Sequence, residues 1–166
     1  MMRRVLLALG LNALSACGLR PLYEGGGSGP VAHTLRSVTV APIEGQSGWL
    51  TRNKLVDRLG VGAESTPVYR LDVVLSDNIT AFGLRSDRAA TQERRTLRAR
   101  YQLVDLSKGT VVLDATAGAD AGIDIVSSEY ATVAAEQTAL ENLTDIVADQ
   151  IAARLALYAS RTAKAK

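Results

Sequence analysis

From Ser128 to about Ala159 the sequence contains neither glycine nor proline. Leu140, Leu143, Val147, Ile151, Leu155 and Tyr158 recur there at three- and four-residue steps. That spacing predicts one long amphipathic helix, capped by Ser127 or Ser128 and about 45 Å in length. An element with one apolar stripe must bury it against another layer. Upstream the period changes to two. Tyr69, Leu71, Val73 and Leu75 alternate with Arg70, Asp72 and Ser76 in a strand predicted from Val68 to about Thr80. A strand from about Thr91 to Leu106 has Leu97, Ala99, Tyr101 and Leu103 on its core side. Arg94, Thr96, Arg98, Arg100 and Gln102 lie on the other side. Ser107-Lys108-Gly109 is a tight turn into a strand beginning at Thr110, with Val111, Leu113, Ala115 and Ala117 expected inward. Before these lie a first strand over Arg36 to Ile43 and a helix from Ser47 to about Leu59, stopped by Gly60, with Trp49 expected to pack at its start. The order β-α-β-β-β-α predicts an α+β two-layer sandwich. In it, a four-stranded, mostly antiparallel sheet carries two helices on one face.

The N-terminus has a different organisation. Arg3 and Arg4 precede a short apolar run from Val5 to Leu11, and Leu14-Ser15-Ala16 leads into Cys17. A charged start, a short apolar core and a small-residue cleavage site read as a signal peptide over residues 1–16. The apolar run is far below the ~20 residues needed to span a bilayer. Leu14-Ser15-Ala16-Cys17 resembles the bacterial lipobox, which implies an S-diacylglycerol thioether and an N-acyl chain such as palmitate on Cys17. Each buried methylene contributes about 0.8 kcal/mol, so two or three chains anchor a protein durably. Gly18 stands where lipoproteins retained at the inner membrane often carry Asp, and by that sorting rule the outer membrane is favoured. Residues 17–34 read as a lipidated, glycine-rich tether, 35–160 as the folded domain and 161–166 as a disordered basic tail.

Several function classes are disfavoured. Cys17 is the sole cysteine, so no intrachain disulfide is possible. Removing Arg3 and Arg4 with the signal peptide leaves 17 of the 19 basic residues against 17 acidic ones, a neutral mature chain that does not point to nucleic acid. Aromatics at 4% are too few for stacking platforms. The lone histidine, His33, lies beside the tether, no Cys/His/carboxylate set has metal-ligand spacing, and no glycine-rich phosphate loop follows a strand. Asp145 and Asp149 share a helix face at i, i+4 but read as solvated charges. The chain is not expected to be an enzyme or to hold a metal or other cofactor.

Arg85, Arg88, Arg94, Arg95, Arg98 and Arg100 fall within one hairpin, opposed there only by Asp87 and Glu93. By parity Arg94, Arg98 and Arg100 share a strand face turned from the core, and Arg85 and Arg88 lie in the connection. A guanidinium fork suits phosphate and carboxylate. The stretch therefore reads either as a site for an anionic ligand, such as a lipid headgroup, or as a solvated or partner-facing surface. Asp72 on the neighbouring strand is a candidate partner for one of these arginines.

Cys17-Gly18-Leu19-Arg20-Pro21-Leu22-Tyr23 is similar to the start of the LptE family of lipopolysaccharide-assembly lipoproteins. Thr51-Arg52-Asn53-Lys54-Leu55 resembles that family's Arg-Asn-x-Leu on the first helix. The Phe82-Gly83 bend, Thr91-Gln92-Glu93 and the long C-terminal helix follow in family order. The resemblance implies an outer-membrane lipoprotein that plugs the LptD β-barrel as a heterodimer, assists its assembly and helps insert lipopolysaccharide into the outer leaflet. It also implies that basic side chains of the hairpin meet lipid A phosphates, with Arg85 and Arg88 first and Arg94, Arg98 and Arg100 behind them. The competing reading is a stand-alone periplasmic lipid-binding or transporter-auxiliary lipoprotein that holds lipid between sheet and helices.

Overall fold

A computed structural model describes residues 28–61, 66–84, 90–126 and 128–164. The elements are α1 (Pro30–Arg36), β1 (Val38–Val40), α2 (Gly45–Leu59), β2 (Tyr69–Leu84), β3 (Ala90–Asp105), β4 (Thr110–Asp124) and α3 (Glu129–Lys164). The sheet order is β1-β2-β3-β4. β1 runs parallel to β2, and α2 supplies the crossover that a parallel pair needs. β2, β3 and β4 form an antiparallel meander. The α+β fold with a mostly antiparallel sheet is as the sequence predicts, with one helix more.

That helix, α1, begins at Pro30, inside the stretch read as tether. Pro30 is pre-set for the first helical turn, and Val31 and Leu35, one turn apart, are both buried. The apolar i, i+4 pair outweighs the glycine run before it. β1 is correspondingly short and starts at Val38 rather than Arg36. At α2 the cap is Glu44, not Ser47. Ser47 sits within the first turn, where its carbonyl accepts the Thr51 hydroxyl at 2.7 Å. Gly48 is needed there, because a Cβ would lie 2.6 Å from the Ile43 carbonyl oxygen. Trp49, expected to pack at this end, is 64% exposed, since Thr51, Leu55 and Leu59 form the buried stripe. Gly60 ends α2 in the left-handed conformation, φ 63°.

α3 runs 36 residues to Lys164, past Ala159 and into the segment expected to be a tail. Ser128 starts it, its hydroxyl accepting the Ala131 amide. Arg161 in its final turn favours the negative end of the helix dipole. Leu140, Leu143, Val147, Ile151 and Leu155 are at most 1% exposed, and the last four share one core with Leu71, Leu97 and Leu103 of the sheet. Val147 and Ile151 alone, fully withdrawn from water, contribute on the order of 2 kcal/mol each. Ala115, Ala117, Ala119 and Ala121 on β4 and Ala148, Ala152 and Ala156 on α3 are small, so helix and strand approach closely. The Arg-Asn-x-Leu stretch is structural. Arg52 donates to the Val40 carbonyl, Leu55 is fully buried, and Lys54 reaches Asp145 at 2.6 Å. Asp145 and Asp149, read from sequence as solvated, hold Arg58 between them. With the Gln46–Gln137 bond, these links align α2 and α3 side by side in the same direction.

One register detail corrects the inward set of β4. Leu103 pairs with Leu113 but Val104 pairs with Val111, leaving Val112 as the extra residue of a bulge. Val112 therefore packs on the core beside Leu113, and Val111 turns outward, 50% exposed.

Candidate functional site

The two faces of the sheet differ in kind. One is covered by the helices. On the other, register places Arg94, Thr96, Arg98, Arg100 and Gln102 of β3 between the even-numbered residues of β2 and β4. Alternation alone brings these side chains to one surface. The sequence foresaw the arginines but not their partners. β4 presents Asp114, Thr116, Gly118, Asp120, Gly122 and Asp124 on this face, a small and acidic row legible by parity in the sequence.

Arg98 pairs with Asp120 at 2.9 Å, and the Thr96 hydroxyl donates to the same carboxylate at 2.6 Å. Arg98 can lie flat across β4 because its opposite residue is glycine. A Cβ at Gly118 would come within 2.5 Å of the Arg98 Cδ. Arg100 pairs with Asp114 at 3.0 Å, and Gln102 donates to that carboxylate at 2.8 Å. Hydrogen bonds from Arg100 and then Gln102 hold the Asp114 carboxyl below the usual carboxylate range. Thr96 and then Arg98 do the same for Asp120. Both arginines are more than half exposed, so solvent screens these pairs and a stronger anion can compete for the guanidinium groups. Asp72, a candidate partner for this set, instead engages Arg70 of its own strand at 2.8 Å, because Gln102 and not an arginine stands opposite it. Arg94 lies over the Phe82 ring, 5.3 Å from its centroid, in a cation–π contact that sequence spacing did not reveal.

Between the arginines is a shallow trough of about 620 Å³, lined by Val74, Arg98, Arg100, Thr116 and Gly118. Val74 is 72% exposed on this largely polar face. The surface thus joins two exchangeable guanidinium groups to a small apolar patch, the chemistry of an anionic amphiphile's headgroup region.

Arg95 separates from this set. Odd parity turns it to the helix side, where it binds Asp77 through two bonds of 2.9 and 2.7 Å and donates to the Glu136 carbonyl at 2.9 Å. Its side chain is 13% exposed. It locks the distal hairpin to α3. Glu93 beside it faces Glu136. Burial first, and then the Glu136 charge, raises its pKa.

Arg85, Arg88 and Cys17 lie outside the described residues. His33 is exposed on α1. Among the described residues no group of three or more His, Cys, Asp or Glu side chains could hold a metal ion, and no helix is long and apolar enough to cross a membrane.

The family model LptE, described as lipopolysaccharide-assembly, matches residues 35–155. Among solved structures, a lipoprotein from Caulobacter crescentus CB15 is 26% identical with a TM-score of 0.64, covering 78% of this chain and 96% of its own. A minor lipoprotein from Acinetobacter baumannii superposes with a TM-score of 0.58 at 13% identity, covering 74% and 92%. The rare lipoprotein B from Shewanella oneidensis does so with 0.53 at 9%, covering 75% and 94%. At these lower identities the two share the fold. No curated protein matches the chain. The match over residues 35–155, which spans all the sheet and α2 and reaches Leu155 of α3, places the chain in the LptE lipopolysaccharide-assembly family.

Proposed function

We propose that the chain is an outer-membrane lipoprotein, anchored through Cys17, that complexes with and plugs the LptD β-barrel. It assists that barrel's assembly and the insertion of lipopolysaccharide into the outer leaflet. Family membership supplies the pathway, and one observation carries the rest: the sheet has a polar, arginine-bearing face that no helix covers among the described residues. The lumen of a large outer-membrane barrel is polar, so a plug needs such a surface. Arg98 and Arg100 flank the trough, and with Arg94 they form the described part of a surface suited to lipid A phosphates. Arg85 and Arg88 adjoin this surface in sequence. The carrier alternative needs lipid between sheet and helices, where Leu71, Leu97, Leu143, Val147 and Ile151 already pack together.

Affinity purification of the lipidated protein from native membranes tests the partner. A co-purifying barrel of larger mass supports the plug, and recovery of the protein alone with bound lipid supports the carrier. Joint charge reversal, Arg98→Glu with Arg100→Glu, should weaken lipopolysaccharide binding at low salt at least about tenfold while far-ultraviolet circular dichroism stays unchanged. Unaltered binding would count against this face as the headgroup site.

A further inference from the structure

β4 ends the sheet order, so among the described residues no strand lies beside one side of its backbone. Along its 15 residues there is no proline or lysine, two common means by which a free edge is kept from pairing, and its only charges are aspartates. The bulge at Leu103/Val104 lies near its start, and the run from Leu113 to Asp124 is regular.

At one point on that edge a partner is visible. The Gly118 amide donates to the Gln150 side-chain oxygen at 3.0 Å, and the Gln150 side-chain nitrogen donates to the Gly118 carbonyl at 3.2 Å. The Gln150 amide, reaching round from α3, thus makes the two bonds that a neighbouring strand's peptide groups would make. These bonds also fix which backbone groups point outward. In an antiparallel ladder they alternate, so Thr116, Asp120 and Gly122 present their N–H and C=O on the same side as Gly118. None of these three has a backbone partner on that side among the described residues.

Charge specifies the partner further. The even-numbered side chains of β4 include Asp114, Asp120 and Asp124 and no basic residue. β3 meets this row on one flank with Arg98, Arg100, Gln102 and Gln92, each bonded to one of those aspartates. A strand on the other flank would meet the same row.

We propose that the open edge of β4, from Asp114 to Asp124, takes up an extended strand of a partner polypeptide. That strand carries basic and amide side chains at alternate positions, and Gln150 holds the place of one of its peptide groups. Backbone bonds supply the affinity and the aspartate row supplies the register. The proposal rests on the reading of the chain as part of a protein complex, but not on that partner being a barrel.

Residue-resolved amide hydrogen exchange tests it, comparing the mature chain expressed alone with the assembly extracted from native membranes. The amides of Thr116, Asp120 and Gly122 should exchange at least about tenfold more slowly in the assembly, while those of Ala117 and Ala119, which face β3, change little. Thr116→Pro removes only an outward N–H, which an edge strand tolerates, and should reduce partner retention at least about tenfold where Thr116→Ala does not. Should Thr116→Pro fail to fold, the exchange comparison on the wild-type chain decides alone. Edge amides equally open in both preparations would overturn the proposal, as would an assembly with no second polypeptide. So would an isolated chain that dimerises and already protects these amides, because the occupant would then be a second copy. A co-purifying barrel with the edge open removes this inference and leaves the plug reading standing. A protected edge without a barrel does the reverse.

Discussion

Two arginines three residues apart on β3 should lose very different amounts of stability when each is replaced by glutamine. Arg95 is 13% exposed, its partner Asp77 is 19% exposed, and three bonds fix the guanidinium between β2 and α3. Arg95→Gln strands a largely desolvated carboxylate and breaks the contact with the helix backbone. Loss of one partner from a fully buried pair costs 3–5 kcal/mol, and residual solvent here reduces that to about 2 kcal/mol. Arg98 is 51% exposed and Asp120 45%, and water replaces the lost partner, so Arg98→Gln should leave stability close to that of the wild type. Urea unfolding followed by circular dichroism separates the two. With a slope of roughly 2 kcal/mol/M for a domain of this size, Arg95→Gln lowers the midpoint by about 1 M and Arg98→Gln by less than half of that. A double-mutant cycle with Asp77→Asn should return about 1–2 kcal/mol of coupling for Arg95. Equal midpoint shifts for the two variants, or no coupling to Asp77, would refute the division of this arginine run into an anchoring and a ligand-facing member.

Glu93 has a raised pKa in the folded protein, so the folded state binds the proton more tightly than the unfolded chain does. Stability should therefore fall as pH rises from the ordinary carboxylate range through the folded value, and Glu93→Gln should flatten that part of the profile, measured as urea midpoint against pH. Asp145 shifts the other way, chiefly through its bond to Lys54, so its contribution is present above the ordinary carboxylate range and lost as pH falls below it. Asp145→Asn should remove that acid-limb slope. Ile151→Ala opens a hole at a fully buried position between α3 and the sheet and should cost about 3 kcal/mol by the same unfolding measurement. Cys17→Ala should abolish metabolic labelling by fatty acid and release the chain from the outer-membrane fraction; normal labelling would contradict the anchor assignment.

The sequence carried the sheet well because its strands are long and alternate cleanly. Leu97, Ala99, Tyr101 and Leu103 face the core as their parity requires. It failed where a two-residue period was interrupted or an apolar pair was short. The bulge that turns Val111 outward depends on pairing between strands and leaves no mark within β4 itself. α1 had only Val31 and Leu35 to signal it, next to a run of glycines that argued for a tether. At the candidate site, side-chain type and parity sufficed to place Arg94, Arg98 and Arg100 on one face. Their pairing did not follow, because Asp114 and Asp120 belong to a strand whose register is set by the Ser107–Gly109 turn and the bulge together.

The small residues of β4 serve both its faces. Inward, Ala115 to Ala121 bring α3 close enough for Gln150 to reach round the edge. Outward, Gly118 makes room for Arg98 to lie across the strand and meet Asp120. A larger residue at either set of positions would disturb the other, because both act through the placement of the same backbone. Gly118→Ala is the sharpest probe of this coupling. It must displace Arg98 from Asp120, an exposed pairing that water replaces, and ease the new Cβ away from the Leu97 carbonyl oxygen 3.0 Å from it, while alanine regains about 0.5–1 kcal/mol of chain entropy. Stability should therefore stay nearly constant while Arg98 is released, so any change in anion binding by this variant reports the guanidinium group and not the fold. A loss of binding by Gly118→Ala that matches the loss on Arg98→Glu would mean that Arg98 acts from its position over β4. A rise in binding would mean that Asp120 holds it back.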